Sequence, residues 1–284
     1  MKAGFNLLLW TTHVGREHFP LIEALKRAGY DGVEIPLFEG DVAHFREVGR
    51  VVRDNGLGCT AVTVMPDAGH DCLSPDAGSR AGALDHLRWA IDCSDALGAE
   101  VLCGPFHQPL GAFSGTGPTE DERARAAEVH RRAAEIGAEV GIRLSIEPLN
   151  RFECYFLNTM ADTADYVRRV GHPNFGALYD TFHANIEEKD PVGCIAAVGP
   201  GVVTHVHVSE NDRGTPGRGH VPWAATFGAL RGIGYDGWLT VEAFGQALPD
   251  LAAATRVWRA FFASPEEVYT EGLRTIRDGW AAAA

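Results

Sequence analysis

Four side chains of the kinds that bind divalent metal ions recur at similar intervals in the second half of the chain. They are Glu147, Asp180, His207 and Glu242, separated by 33, 27 and 35 residues. Each follows or lies within a short run that is typical of a β-strand. Each interval is about the length of one strand–helix–strand unit, roughly 30 residues. If these runs are neighbouring parallel strands, the four side chains converge at one edge of the sheet.

Three carboxylates that lie together repel one another unless a cation is present. Three oxygen ligands and one imidazole suit Mn²⁺, Mg²⁺, Co²⁺ or Zn²⁺. The alternative, an ordinary ion pair at a strand end, fits any one of the four alone better than it fits the set. His205 has the same strand parity as His207 and competes with it as a ligand. Because His205 lies deeper in its strand, we expect a packed, hydrogen-bonded core histidine.

Further polar residues follow the same predicted strands, in the loops. Glu153, His183 and Arg213 come six, three and six residues after Glu147, Asp180 and His207. Arg213 opens the segment RGTPGRGH, whose glycines allow the backbone to approach a ligand closely. A surface turn with solvated arginines is the alternative, and a sugar phosphate stays open as a ligand. In the first half, candidate pocket residues are Asn6, Trp10, His13, Met65, Phe106, His107 and Phe113.

Short apolar runs alternate with helical patterns along the whole chain. Strands are predicted at residues 3–9, 32–35, 59–65, 101–103, 143–146, 175–179, 203–208 and 238–241. Helices are predicted at 19–28, 41–55, 79–97, 120–140, 163–170, 192–198, 224–233, 251–262 and 265–280. Strict alternation favours a parallel sheet, and eight units predict an α/β fold of the (β/α)8 TIM-barrel type. Residues 104–119 are predicted to form a long functional loop.

Length and composition limit the other possibilities. The 284 residues fit one barrel, so a single domain over residues 1–284 is predicted. A net charge of −13 disfavours nucleic acid and anionic membrane as partners. The six cysteines form no C-x-x-C pair, which favours buried free thiols. The sequence shows neither a signal-peptide pattern nor a membrane span, so we expect a cytoplasmic protein.

Three segments of the second half, in this order, resemble the ketose 3-epimerase family, the D-tagatose/D-allulose 3-epimerases of the xylose isomerase-like TIM barrel group. They are IEPLNRFE, YDTFHANIEE and HVSENDRGTPGRGHVPW. The first half resembles the family only in pattern. The resemblance implies one divalent ion, Mn²⁺ first and Co²⁺ or Mg²⁺ as alternatives, held by Glu147, Asp180, His207 and Glu242. It also implies a sugar substrate contacted by Glu153, His183 and Arg213, and a dimer or tetramer.

The resemblance also implies a mechanism. Glu147 and Glu242 would act on opposite faces of C3, one removing a proton and the other returning one, while the metal stabilises the enediolate. His183 and Arg213 would steady the charge on O2, and His107 is a further candidate for substrate contact. Two other interpretations stay open: a related isomerase or lyase of another keto-sugar, inositol derivative or oxidised glycoside, and an abasic-site endonuclease, which the charge of −13 disfavours.

Overall fold

The computed structural model describes residues 1–283, so Ala284, the last residue of the predicted domain, lies outside the described residues. Eight parallel strands form a closed barrel in sequence order. They are β1 (Lys2–Asn6), β2 (Gly32–Pro36), β3 (Gly58–Val62), β4 (Val101–Gly104), β5 (Arg143–Ile146), β6 (Phe175–Asp180), β7 (Val203–Val208) and β8 (Trp238–Val241). Pairing of β1 with β8 closes the ring, with Phe5 opposite Val241. The predicted (β/α)8 barrel is confirmed.

The helices pack around the barrel in the connections between strands. They are α1 (Phe19–Ala28), α2 (Val42–Asp54), α3 (Ala77–Leu97), α4 (Glu120–Val140), α5 (Met160–Val170), α6 (Thr181–Glu187), α7 (Gly193–Val198), α8 (Trp223–Gly232), α9 (Pro249–Thr255) and α10 (Pro265–Ala282). Polar side chains cap the N-termini of several of these helices. The Asp41 carboxylate accepts from the His44 backbone N–H, and Thr119 and Glu122 form a capping box at the start of α4.

The strands are buried along almost their whole length, because the helices cover their outer faces. Side chains from all eight strands contribute to the apolar core, among them Phe5, Ile35, Leu102, Ile146 and Leu239. The cysteines of the described chain are free, and five of the six are buried, as predicted. No helix within residues 1–283 combines the length and the apolar character needed to cross a membrane.

Three predicted elements end at least three residues earlier in the structure than expected. The first strand ends at Asn6 instead of residue 9, because the Asn6 side chain caps a 3₁₀ turn over Leu7–Leu9. The third strand ends at Val62 instead of residue 65. The predicted helix 251–262 ends at Thr255, since Arg256 takes a left-handed conformation with φ of 61°. The segment 104–119 contains no regular element after Gly104, as predicted.

One helix near the site was not predicted. Helix α6 begins directly after β6, and Asp180 is its N-cap, with Oδ1 accepting from the His183 backbone N–H at 2.9 Å. The same residue therefore ends a strand, starts a helix and keeps its second carboxylate oxygen for another partner. This junction lies at the carboxyl end of the barrel, the end at which TIM-barrel sites are built.

Candidate active site

The four predicted metal ligands lie together at the carboxyl ends of β5 to β8. One ligand atom from each of Glu147, Asp180, His207 and Glu242 lies within 4.8 Å of every other. All four side chains are buried; Glu242, the most exposed, is 5% exposed. This proximity follows from the order of β5 to β8, which are parallel neighbours whose carboxyl ends meet at one mouth of the barrel.

The centre of this cluster is His207 Nδ1. It lies 3.4 Å from Glu242 Oε1, 3.7 Å from Asp180 Oδ2 and 3.8 Å from Glu147 Oε1. Within residues 1–283, neither His207 Nδ1 nor Asp180 Oδ2 has a hydrogen-bond partner, although both are buried. Buried polar atoms are nearly always satisfied. A divalent cation would satisfy both, and the donor set of three carboxylates and one imidazole fits Mn²⁺, Co²⁺ or Mg²⁺.

The electrostatics of the cluster also favour a bound cation. Burial raises the pKa of Glu147 well above its usual range, against the opposing charge of His207. Burial likewise raises the pKa of Asp180, and that of Glu242 to about 7. Burial would lower the pKa of His207, but Glu242 and Glu34 together raise it well above its usual range. Without a cation, the cluster therefore holds protons at neutral pH that a metal ion would displace.

Glu34 lies behind the cluster, on β2, and is fully buried. Its oxygens lie 2.7 Å from His207 Nε2 and 2.8 Å from His205 Nε2. Burial would raise the pKa of Glu34, but His207 and His205 hold it well below its usual range. His205 is buried and contacts this carboxylate, in agreement with the expectation of a core histidine. Sequence reasoning gave Glu34 no role. The only sequence signal for it was the similarity of YDGVEI (residues 30–35) to YDGWLTVE (residues 235–242), in which Glu34 and Glu242 both follow a Tyr-Asp-Gly turn and a strand-like run.

A second polar group lies beside the cluster and consists of Glu153, His183 and Arg213. Arg213 donates from Nη1 and Nη2 to the two oxygens of Glu153, each at 3.1 Å. Its guanidinium also stacks 4.1 Å from the Phe182 ring centroid. The Arg213 backbone takes a left-handed conformation, with φ of 64°, which is uncommon outside glycine. The structure brings these three predicted residues together.

Both ring nitrogens of His183 face hydrogen-bond donors. The Asn150 backbone N–H donates to Nδ1 at 2.9 Å, and Arg213 Nη2 lies 3.1 Å from Nε2. Burial lowers the pKa of His183 well below its usual range, and the charge of Arg213 lowers it further. His183 is therefore a neutral ring that contacts Arg213 and lies beside the cluster, with Nε2 3.7 Å from Glu147 Oε1.

The cavity above these residues has a volume of about 290 Å³ and two different ends. Its polar end is formed by Glu147, Glu153, His183, Arg213 and Glu242. The remaining lining residues are mostly apolar and include Leu8, Phe38, Val62, Val64, Leu110 and Leu251, with Thr12, Asp250 and Thr255 as polar exceptions. The seven candidate pocket residues of the first half are not among its lining residues. Leu8 lines the cavity instead of Trp10, because the chain leaves β1 in a 3₁₀ turn.

His107 lies outside this cavity, so the structure gives no support to substrate contact by this side chain. The ring is fully buried and packs 5.6 Å from the Phe156 ring centroid. Burial lowers the pKa of His107 to about 3, so the imidazole is neutral. The position just past a strand end was correct, but the loop turns the side chain into the core.

Comparison with known proteins gives one consistent family. The family model of the xylose isomerase-like TIM barrel matches residues 22–279. A probable ketose 3-epimerase of Synechocystis sp. is 32% identical, over 98% of this chain and 96% of that protein. The D-psicose 3-epimerase of Agrobacterium fabrum is 31% identical, over 91% of this chain and 90% of that protein. The crystal structure of a Methylomonas D-allulose 3-epimerase with D-allulose superimposes with a TM-score of 0.90 at 30% identity, covering 98% of this chain and 96% of that chain.

Proposed function

Because the chain belongs to the xylose isomerase-like TIM barrel family, and within it to the ketose 3-epimerases, we propose that this isomerase inverts C3 of a free ketose through an enediolate. One observation carries the proposal: two buried glutamates, Glu147 and Glu242, flank the unpartnered Nδ1 of His207 at the polar end of the cavity. A carboxylate on either side of a reacting carbon can remove and return a proton on opposite faces.

Glu147, Asp180, His207 and Glu242 would hold one divalent ion, with Mn²⁺ proposed first and Co²⁺ or Mg²⁺ as alternatives. Such an ion supplies Lewis acidity that stabilises negative charge beside a carbonyl. Glu147 and Glu242 are the proposed acid–base pair.

The neighbouring polar group has a separate proposed task. His183 and Arg213 steady the substrate O2, where negative charge develops when C3 loses its proton. Arg213 supplies the positive charge, and Glu153 holds its guanidinium in place through two hydrogen bonds. His183 is neutral and lies 3.1 Å from Arg213 Nη2, so it also contributes to the position of the guanidinium. Glu153 thus acts on the substrate through Arg213 and does not itself take part in proton transfer.

The cavity favours an unphosphorylated sugar. Arg213 is the only arginine or lysine among its described lining residues, and Glu153 already engages it. A phosphate would need further cationic donors. The related proteins are named for D-psicose, L-ribulose and D-allulose, and ketoses of five or six carbons are the proposed substrate class. We further propose a single domain, a homodimer or homotetramer, and a cytoplasmic location.

The test is proton exchange followed by NMR. The Mn²⁺-loaded enzyme is incubated in D₂O with D-fructose, D-tagatose, L-ribulose and D-allulose, and the sugars are analysed after removal of the metal. Deuterium at C3 together with a new epimer is expected for at least one sugar. Deuterium at C1 would instead indicate an aldose–ketose isomerase. No exchange with any sugar, despite bound metal, would favour a larger or oxidised substrate.

Two variants test the acid–base pair itself. Glu147→Gln and Glu242→Gln keep the side-chain shape but remove the base, so each should stop C3 exchange. Retained exchange in both variants would refute the proposed roles.

A further inference from the structure

The Glu34 carboxylate is surrounded by hydrogen-bond donors from four other strands and has no contact with solvent. Oε1 lies 2.7 Å from His207 Nε2 and 3.0 Å from Asn6 Nδ2. Oε2 lies 2.8 Å from His205 Nε2, 2.8 Å from Thr60 Oγ1 and 3.3 Å from Cys103 Sγ. None of these residues lines the cavity. The network therefore has no direct access to a substrate, and its function must be exerted through the residues it contacts.

The donor directions in this network are fixed by the partners. The Asn6 side-chain oxygen accepts from the Leu8 backbone N–H at 2.9 Å, so the amide nitrogen faces Glu34. An ionised carboxylate only accepts hydrogen bonds. With donors already on both oxygens, the two histidines complete the network by donating from Nε2. This sets the Nε2–H form of His207 and leaves its Nδ1 lone pair directed at Glu147, Asp180 and Glu242.

We propose that Glu34 is a positioning residue of the metal site, which fixes the tautomer and the ring orientation of His207. The inference rests on the proposed metal site, although not on the identity of the sugar. Ligand histidines commonly donate their second N–H to a carboxylate, which orients the ring and makes the ligand nitrogen more basic. Here the carboxylate comes from β2, on the side of the barrel that supplies none of the four ligands.

Asn6 provides a second connection from Glu34 to the ligands. Its Nδ2 lies 3.0 Å from Glu34 Oε1 and 3.0 Å from Glu242 Oε1. One amide thus donates to the buried carboxylate and to a metal-site carboxylate at once. Glu34 therefore reaches two ligands, His207 directly and Glu242 through Asn6, which makes the orientation of both depend on a residue remote from the cavity.

A second metal ion is the alternative explanation of this network, since ligand atoms of Glu34, Cys103, His205 and His207 also lie within 4.8 Å of one another. The distances argue against it. Two ligands about 2.0–2.1 Å from one tetrahedral ion lie more than about 3 Å apart. The Glu34–histidine distances of 2.7 and 2.8 Å are instead those of charge-assisted hydrogen bonds. We therefore expect one metal equivalent per chain.

The experiment measures the affinity and stoichiometry of Mn²⁺ binding by calorimetry with Glu34→Gln. Gln has the same shape but directs an N–H₂ at one of its donors. We expect the Mn²⁺ dissociation constant to rise by about 10- to 100-fold, with one equivalent bound in wild type. The matched control is Glu210→Gln. Glu210 is also buried and multiply hydrogen-bonded, to Gly217, Val221 and Trp223, but contacts none of the four ligands. The control should keep the wild-type dissociation constant.

A spectroscopic measurement tests the tautomer directly. In the Mg²⁺-loaded, ¹⁵N-histidine-labelled protein, long-range ¹H–¹⁵N spectra should show the His207 proton on Nε2. If Glu34→Gln does not fold, Thr60→Val removes one donor to Glu34 and should cause a smaller, measurable loss of Mn²⁺ affinity.

Unchanged Mn²⁺ affinity in Glu34→Gln, a His207 proton on Nδ1, or two metal equivalents in wild type would each overturn the inference. A wild type that binds Mn²⁺ but epimerises no ketose would overturn the proposed reaction and leave this inference intact.

Discussion

Arg213 and Glu153 form a two-pronged ion pair across the mouth of the barrel, with both nitrogen–oxygen distances at 3.1 Å. Glu153 lies in the loop after β5 and Arg213 in the loop after β7, so the pair joins two loops on either side of β6. The planar guanidinium matches the carboxylate in a way that the single ammonium group of lysine does not. The orientation of Arg213 toward the substrate should therefore depend on its two parallel hydrogen bonds to Glu153, and not on charge alone.

The first prediction follows from this geometry. Arg213→Lys keeps the charge but loses one hydrogen bond to Glu153, so kcat/KM for the best ketose should fall by about 10- to 150-fold, the equivalent of about 1.5–3 kcal/mol. Steady-state kinetics measure this change. Arg218→Lys, in the same loop but 61% exposed in its side chain, should have wild-type kinetics. Wild-type kcat/KM in Arg213→Lys would contradict a role for the two parallel hydrogen bonds.

The second prediction concerns pH and metal removal. Glu242 has a native pKa of about 7, above its ordinary value of 4.5, so the native metal-free protein holds a proton that the unfolded chain releases. His207 also has a raised native pKa. Both contributions to stability are complete below the unfolded pKa values and are lost as the pH rises through the native ones. Each proton that the native state holds and the unfolded chain releases lowers the free energy of unfolding by about 1.4 kcal/mol per pH unit.

Buried neutral histidines such as His107 and His183 oppose this trend, because the unfolded chain binds protons at pH 5 that the native rings do not. The contribution of Glu242 is therefore measured as the difference between the wild type and Glu242→Gln, which cannot ionise. In thermal denaturation with chelator, the melting temperature of the wild type relative to that of the variant should fall between pH 5 and pH 7.5. A difference that stays constant over this interval would show that Glu242 holds no proton in the native metal-free protein.

The third prediction concerns a glycine that supports the site. Gly104 ends β4 with φ of 124°, and an added Cβ would lie 2.2 Å from the Thr63 carbonyl oxygen. Its own carbonyl accepts from the Glu147 backbone N–H at 3.0 Å. Gly104→Ala should lower the free energy of unfolding by about 3 kcal/mol through clash and strain. Urea denaturation measures this loss.

A matched substitution separates clash from backbone strain. Gly111 also has positive φ, at 75°, but an added Cβ would have no neighbour within 4 Å. Gly111→Ala should cost only about 1 kcal/mol. Equal costs at the two positions would mean that the close approach of β3 and β4 is unimportant.

The fourth prediction comes from the apolar wall of the cavity. The side chains of Leu8, Phe38 and Leu251 offer no hydrogen bond, so a sugar hydroxyl buried against them and away from Thr12 and Asp250 loses about 1–3 kcal/mol of hydration. A 6-deoxyketohexose should therefore have a kcat/KM at least equal to that of its 6-hydroxy parent. Val64→Thr, which adds a hydroxyl at nearly constant volume, should shift the ratio toward the parent. A strong preference of the wild type for the hydroxylated sugar would mean that the C6 end of the substrate does not lie against these apolar residues.

Local sequence signals were sufficient for much of the fold. Strands 143–146, 203–208 and 238–241 and helices 19–28 and 120–140 have their predicted bounds, because apolar runs, caps and glycines agree there. Helix α6 was missed because its capping residue, Asp180, reads equally well as the end of a strand. The chain leaves β1 in a 3₁₀ turn because of an Asn6 side-chain contact that no periodicity reveals.

The part of the site that depends on strand ends could be predicted from the sequence. The contacts that depend on closure of the barrel could not. The convergence of Glu147, Asp180, His207 and Glu242 follows from parallel neighbouring strands. The contacts of Glu34 join residues 171 and 173 positions apart, on strands that face each other only across a closed barrel. The cavity wall likewise depends on loop paths, which turned His107 into the core and brought Leu8 to the surface of the cavity.

The contact between Asn6 and Glu242 spans 236 positions of the chain and has a consequence for biosynthesis. As the polypeptide leaves the ribosome, β1 emerges first and waits for β8, its last partner. Until that strand arrives, three ligands are present but the fourth is missing and the ring is open. Metal capture should therefore coincide with ring closure, so that uptake of the ion reports the final step of folding in the newly made enzyme.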